Sequence, residues 1–288
     1  MATSVPGAFN QLLTNFKLTD TQADSVRTKI STISDFFETN FAMAEGPIAI
    51  GSYARNTIIR SERDVDLLAP LSYGKYKATY DNDPQGLLYM VRNKLNSRFS
   101  TTNVSSKRVA VKIDFSDVSV DVVPCFKREG DGYLMPNGSG GWMATNPAYH
   151  TRLMFDQNAA HEHYLKPVVK FMKFWNFANG SHLSSLHVEL MTERIWRDAN
   201  MGKLYSYAVA ETLRCMPSWV KTNFADPWKD GAKIDSYLTR DERKVATRLL
   251  DQDATNAKNA EILRKEGRVE KAFAKWSVVY RNEFPAYG

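Results

Sequence analysis

Residues Gly51 to Leu71 read GSYARNTIIRSERDVDLLAPL, and residues Val118 to Phe126 read VSVDVVPCF. Each holds a short apolar run of strand length, and each run carries aspartate. Asp64 and Asp66 are two positions apart, and such residues in an extended strand point to one face, about 6–7 Å from each other. Two carboxylates that close repel each other and are costly to desolvate unless a cation lies between them. In the second run Val118, Val120 and Val122 can face a core, which turns Ser119 and Asp121 to the other side. If the two runs are neighbouring strands, three carboxylates converge on one point. Such an oxygen set can hold two hard divalent cations about 3.5–4 Å apart.

The Gly51-Ser52 pair closes the apolar run that starts at Pro47. Glycine lets backbone approach a ligand closely, and a turn that opens a helix offers free N–H groups. A serine hydroxyl there can donate to a phosphate oxygen. Alone, Gly-Ser marks an ordinary turn, and Asp-x-Asp a solvated loop. Their conjunction with a lone aspartate among valines is what points to a ligand, because a carboxylate in such surroundings is destabilising unless it binds something.

Outward from these runs, residues 19–40 read as a helix. Thr19 and Gln22 fit a capping box, and Val26, Ile30, Ile33 and Phe37 recur at helical spacing. Residues 76–98 read as partly helical, with Leu87, Leu88, Val91 and Leu95 as the apolar stripe. Val109, Val111, Ile113 and Phe115 alternate as a strand with one buried face, and an antiparallel neighbour follows from Val118. Residues 129–147, rich in Gly, Asn and Pro, read as a loop. Beyond them the pattern is mostly helical. Strands in the first half and helices in the second predict an α+β fold of two domains, 1–147 and 148–288.

The length of 288 residues, 43% of them hydrophobic, supports two lobes, and the formal net charge of +6 suits an anionic ligand. The charges are interspersed without a basic tail, so no nucleic-acid arm is indicated. Cys125 and Cys215 form no metal-like spacing and no disulfide framework, which fits a reducing cytoplasm. No secretory signal is visible in MATSVPGAFNQLLTNF, and no apolar run approaches the ~18 residues a membrane span needs.

Other candidates have plainer readings. His161 and His163 would face apart on a helix, so no shared ion is expected. Trp175, with Phe171 and Phe174, reads as core. Lys170 and the alternating charges of 251–271 read as solvated faces. Arg55 and Arg60 suit a substrate contact or the surface equally. Cys125 reads as core.

Taken together, GSYARNT, DVDLLAP and VDVVPCF resemble the nucleotidyltransferase superfamily of DNA polymerase β. More narrowly, they resemble the bacterial cyclic-oligonucleotide synthases related to cyclic GMP–AMP synthase and oligoadenylate synthase. GWMATNPAYH (Gly141 to His150) is similar to that family's tryptophan-containing turn, and LKPVVKFMKFWN and LSSLHVELM to its phosphate-contacting helices. DPWKD and AFAKWSVVYRNEFPAYG resemble its C-terminal signature. The resemblance implies a polymerase-β-like lobe with a mixed β-sheet and a C-terminal helical lobe, the active site lying in the cleft. It implies that Asp64, Asp66 and Asp121 are catalytic and bind two Mg2+ ions, which Mn2+ can replace. It implies that Gly51, Ser52, Lys173 and Ser185 hold the triphosphate. Relatives often carry an aromatic residue after that serine; here it is Leu186.

The substrates implied are ATP and GTP, with CTP and UTP as further candidates. The product implied is a cyclic di- or trinucleotide second messenger, read by a separate effector protein in bacterial anti-phage (CBASS) signalling. A regulatory protein or an RNA is implied as an activator, and no membrane. A transferase making linear oligoadenylate or extending RNA 3′ ends shares the same carboxylates and stays open as the alternative, as does a binding module that has lost catalysis.

Overall fold

The computed structural model describes residues 1–62, 64–199, 201–228 and 233–288. Its first layer is a mixed sheet. β1 (Ile48–Ile50), β2 (Asp64–Leu71), β3 (Asn103–Ser106), β4 (Val111–Asp114) and β5 (Ser119–Lys127) lie in the order β1-β2-β5-β4-β3. β2 and β5 are parallel, and their other neighbours pair antiparallel. Parallel neighbours need a long crossover, and here it carries α4 (Tyr73–Tyr80), α5 (Pro84–Arg98), β3 and β4.

Alternation decides which sheet face is covered. Leu67, Ala69 and Leu71 of β2 and Val120, Val122 and Phe126 of β5 pack with Leu87, Leu88, Val91 and Leu95 of α5. Ile33 and Phe37 of α2 (Asp20–Asn40) join that core. The opposite parity, Asp64, Asp66 and Leu68 with Asp121, Val123 and Cys125, falls on the other face. The expected capping box is formed: Gln22 N–H donates to Thr19 Oγ1 at 3.2 Å, and Gln22 Oε1 accepts from Thr19 N–H at 2.9 Å.

The second half is helical: α6 (Pro147–Ala160), α7 (Leu165–Ala178), α8 (Ser185–Arg197), α9 (Tyr205–Lys221), α10 (Arg240–Lys265) and α11 (Val269–Val279). The N-terminal α1 (Val5–Phe16) joins this helical core rather than the sheet. Phe9 sits edge-on to Phe171, Trp276 and Phe284, with ring centroids 5.0, 4.8 and 5.2 Å away.

The loop expected over 129–147 contains a hairpin, β6 (Tyr133–Pro136) and β7 (Trp142–Thr145), which extends the sheet from the end of β5. Residues 137–141, NGSGG, are its turn, and their composition masks the short strands on either side. His163 is not helical; Glu162 and His163 adopt φ of 50° and 69° in the turn before α7. Cys125 and Trp175 are core residues, the Trp175 indole donating to the buried Asp253 at 2.9 Å. No helix among the described residues is long and apolar enough to cross a membrane.

Removing the Phe9 ring leaves a cavity where α1 meets α7 and α11. Phe9→Ala should lower stability by about 3–5 kcal/mol, read as a shift of the urea-denaturation midpoint at unchanged slope.

Candidate active site

The β2–β5 register sets Asp66 directly opposite Asp121 and Asp64 opposite Ser119. On the other flank of β2, Ile50 pairs with Asp66, so Gly51 is delivered against the Asp66 carboxylate. Gly51 has φ of +68°, and a Cβ there would lie 2.0 Å from Asp66 Oδ2. A side chain there would strain the backbone and press on the Asp66 carboxylate. The chain then enters α3 (Gly51–Ala54), whose Ser52 carbonyl accepts from Thr57 and Ile58 N–H at 2.9 and 3.1 Å.

Crowding shows in the proton affinities. Burial, then the Asp121 charge, pushes the Asp66 carboxyl up to about 7, against the pull of Arg55. Burial also raises Asp121, with Lys107 opposing and Asp64 adding. Asp121 Oδ1 is buried with no hydrogen-bond partner. Two facing carboxylates with an unpartnered buried oxygen suit a hard divalent cation. Asp64 instead accepts from Lys112 Nζ at 3.1 Å, a lysine that also lies 3.3 Å from Asp114 Oδ1. Lys107 Nζ stands 3.9 Å from Asp121 Oδ2. With Asp64 so engaged, no three His, Cys, Asp or Glu side chains among the described residues are gathered to hold an ion.

Asp66 lines a cavity of about 430 Å3 between the sheet and the helical core, and Asp121 stands beside it in the ladder. Gly51, Ser52, Arg55, Asp66, Ser185 and Leu186 belong to its lining, with His150 and Asp226. His150 Nε2 and Asp226 Oδ1 are 2.8 Å apart and nearly buried. The Val109, Val123, Met135 and Met143 side chains make its sheet-side wall apolar.

Beneath this cavity lies an ionic network. Glu189 of α8 is fully buried and accepts from Arg55 Nε at 2.7 Å, Arg55 Nη2 at 3.3 Å and Thr57 Oγ1 at 2.8 Å. Burial alone would raise its carboxyl, but Arg55, then Lys173, and the hydrogen bonds from Arg55 and Thr57 hold it down at about 2. Lys173, also fully buried, donates to the Thr57 carbonyl at 3.1 Å and lies 2.9 Å from Glu62 and 3.5 Å from Glu189. Ser185 opens α8, and its hydroxyl donates to Glu62 Oε2 at 2.8 Å.

The structure thus brings Asp66, Asp121, Gly51, Ser52 and Ser185 to one region. Lys173 does not line the cavity: the Thr57 carbonyl, Glu62 and Glu189 hold its ammonium beneath it. Arg55 is neither a surface residue nor a lone substrate contact, because Glu189 claims its guanidinium. Glu62, Thr57, Lys107 and Lys112 carry no motif signal. Glu189 carries only the apolar flanks Val188, Leu190 and Met191, which suit burial on a helix.

A mixed sheet with paired aspartates beside a Gly-Ser turn, facing helices across a cleft, defines a polymerase-β-type nucleotidyltransferase. The family model of the Second Messenger Oligonucleotide or Dinucleotide Synthetase domain matches residues 3–158, more than half of the chain, and the chain belongs to that family. It is 29% identical over 258 residues to the cyclic AMP-AMP-AMP synthase of an Acinetobacter species, covering 82% of this chain and 71% of that protein. Its fold is that of CdnC of Escherichia coli MS115-1. The structure of CdnC with ATP gives a TM-score of 0.79 at 16% identity, covering 97% of this chain and 98% of that one. The CdnC:HORMA-deltaN complex gives 0.76 at 17% identity, covering 96% of both chains.

Glu189→Ala strands two buried cations and should cost about 3–5 kcal/mol, measured by urea unfolding at pH 7. Because the folded carboxyl is held at about 2 against an ordinary 4.5, its contribution is complete above pH 4.5 and is lost as pH falls from there toward 2. Wild type should therefore lose more stability between pH 5 and pH 3 than the variant does. Gly51→Ala should abolish turnover while the protein still unfolds cooperatively.

Proposed function

We propose that this chain joins nucleoside triphosphates into a cyclic oligonucleotide, releasing pyrophosphate at each step. The observation that carries this reading is the level pairing of Asp66 with Asp121, with Asp66, Gly51 and Ser52 lining a nucleotide-sized cavity. An acceptor ribose hydroxyl attacks the α-phosphorus in line. The new O–P bond forms as the bond to the bridging oxygen breaks, and pyrophosphate leaves with that electron pair. The hydroxyl proton passes to Asp121, whose Oδ1 has no other partner and whose burial raises its proton affinity.

Asp66 and Asp121, with Asp64 once it leaves Lys112, are the ligands for magnesium, or manganese in its place, which supplies phosphate neutralisation and lowers the pKa of the acceptor hydroxyl. Gly51 lets the backbone approach the donor phosphates, and the Ser52 and Ser185 hydroxyls donate to them. Lys173 completes this set as a compact charge. Leu186 offers a branched apolar side chain rather than an aromatic ring to a base. We take the working units as residues 1–147 and 148–288, with α1 reaching across to the helical core.

ATP is the first substrate to test, because the Acinetobacter relative is a cyclic AMP-AMP-AMP synthase; GTP, CTP and UTP are the other candidates. We assign the product to a separate effector in cytoplasmic anti-phage signalling. A HORMA-class protein is a candidate regulator, since CdnC is complexed with one; an RNA activator is the other.

The test incubates the purified chain with radiolabelled triphosphates and Mg2+ or Mn2+, with and without HORMA-class protein or RNA, and treats the products with phosphatase. A small phosphatase-resistant product is expected, and Asp66→Asn should reduce it by more than about 100-fold. Label found only in lengthened RNA, with no small cyclic product, would replace this reading with an RNA 3′-end transferase.

A further inference from the structure

Glu62 stands on the loop between α3 and β2, two residues before Asp64, and belongs to none of the functions assigned above. Its Oε2 oxygen lies 2.9 Å from Lys173 Nζ and accepts from Ser185 Oγ at 2.8 Å. A single anionic oxygen therefore bridges the ammonium and the hydroxyl that the proposed function gives to the donor triphosphate. Charge matching shows why it sits there. Glu189 is already met by the forked Arg55 guanidinium at 2.7 and 3.3 Å and by Thr57. Lys173 lies farther from Glu189, at 3.5 Å, than from Glu62, so Glu62 is its closest carboxylate.

The two glutamates differ in what they can do. Glu189 has no exposed side-chain surface and sits mid-helix, whereas the Glu62 side chain is 24% exposed and lies outside regular structure. Glu62 can rotate into water without unpacking a helix; Glu189 cannot. Phosphate oxygens arriving at Lys173 and Ser185 would meet the Glu62 carboxylate as a like charge at contact distance.

We propose that Glu62 is a built-in occupant of the donor-phosphate subsite, an autoinhibitory acid that the polyphosphate of a nucleoside triphosphate must displace. This inference rests on the reading of Lys173 and Ser185 as phosphate ligands. Displacement frees the Lys173 ammonium and the Ser185 hydroxyl for phosphate oxygens. The device lowers affinity for weak anions, since one phosphate group offers less to exchange for the carboxylate than a triphosphate does.

The test compares wild type, Glu62→Gln, Glu62→Asp and Lys173→Met by calorimetric binding of two probes, inorganic tripolyphosphate and α,β-methylene ATP, each with Mg2+. Glu62→Gln keeps the shape and a hydrogen bond to Lys173 but removes the charge. It should tighten both probes about tenfold, a change of about 1.4 kcal/mol. Glu62→Asp keeps the charge and should stay within about threefold of wild type. Lys173→Met should weaken both probes. If Glu62→Gln leaves both affinities unchanged or weakens them while Lys173→Met weakens them, the displaced-acid inference is wrong and the phosphate subsite stands. If Lys173→Met also leaves both affinities unchanged, the phosphate subsite itself is misplaced and the inference falls with it. Thermal unfolding of each variant without probe separates a binding change from a folding defect.

Discussion

The parallel ladder between β2 and β5 fixes what this molecule can do, because it puts the carboxylates of Asp66 and Asp121 at one level on one face. Side chains alternate along a strand, so a slip of one residue in either strand would send its aspartate into the Leu67, Val120 and Val122 core. The same alternation that buries the valines therefore presents the acids. Parallel pairing also forces the crossover that carries α5 over the back of the sheet. The front is left to face the helical core across a cavity.

Two facing carboxylates cannot hold this position without compensation, and the surrounding charges supply part of it. Lys112, opposite Asp121 on β4, and Lys107, just before β4, supply positive charge, and Arg55 pulls against the raised proton affinity of Asp66. Arg55 is itself anchored by Glu189 on α8, so the turn carrying Gly51 and Ser52 is tied to the helical core through a buried, forked ion pair. That pair transmits the placement of α8, and hence of Ser185, to the same turn that meets Asp66. The ionic network is thus the mechanical link between the acids and the phosphate-binding groups.

Much of this was legible in the residues because it rests on local periodicity. The Thr19–Gln22 box, the DVD strand and the valine alternation around Asp121 depend only on near neighbours, and each formed where expected. What was not legible depends on distant partners or on weak local signals. Arg55 and Glu189 are 134 positions apart, and nothing near either residue names the other. β3 reads NVSS and has no apolar stripe to reveal it. The β6–β7 hairpin hid behind its glycine-rich turn. The burial of Lys173 was equally hidden, since the Thr57 carbonyl and Glu62 that meet its ammonium come from the other half of the chain.

Whether Asp66 and Asp121 form one cation site through their strand register is answered by counting bound Mn2+ with electron paramagnetic resonance in the presence of a non-hydrolysable ATP analogue. Wild type should bind about two ions per chain, and Asp121→Asn should lose at least one while staying folded. Unchanged stoichiometry and affinity in Asp121→Asn would contradict it.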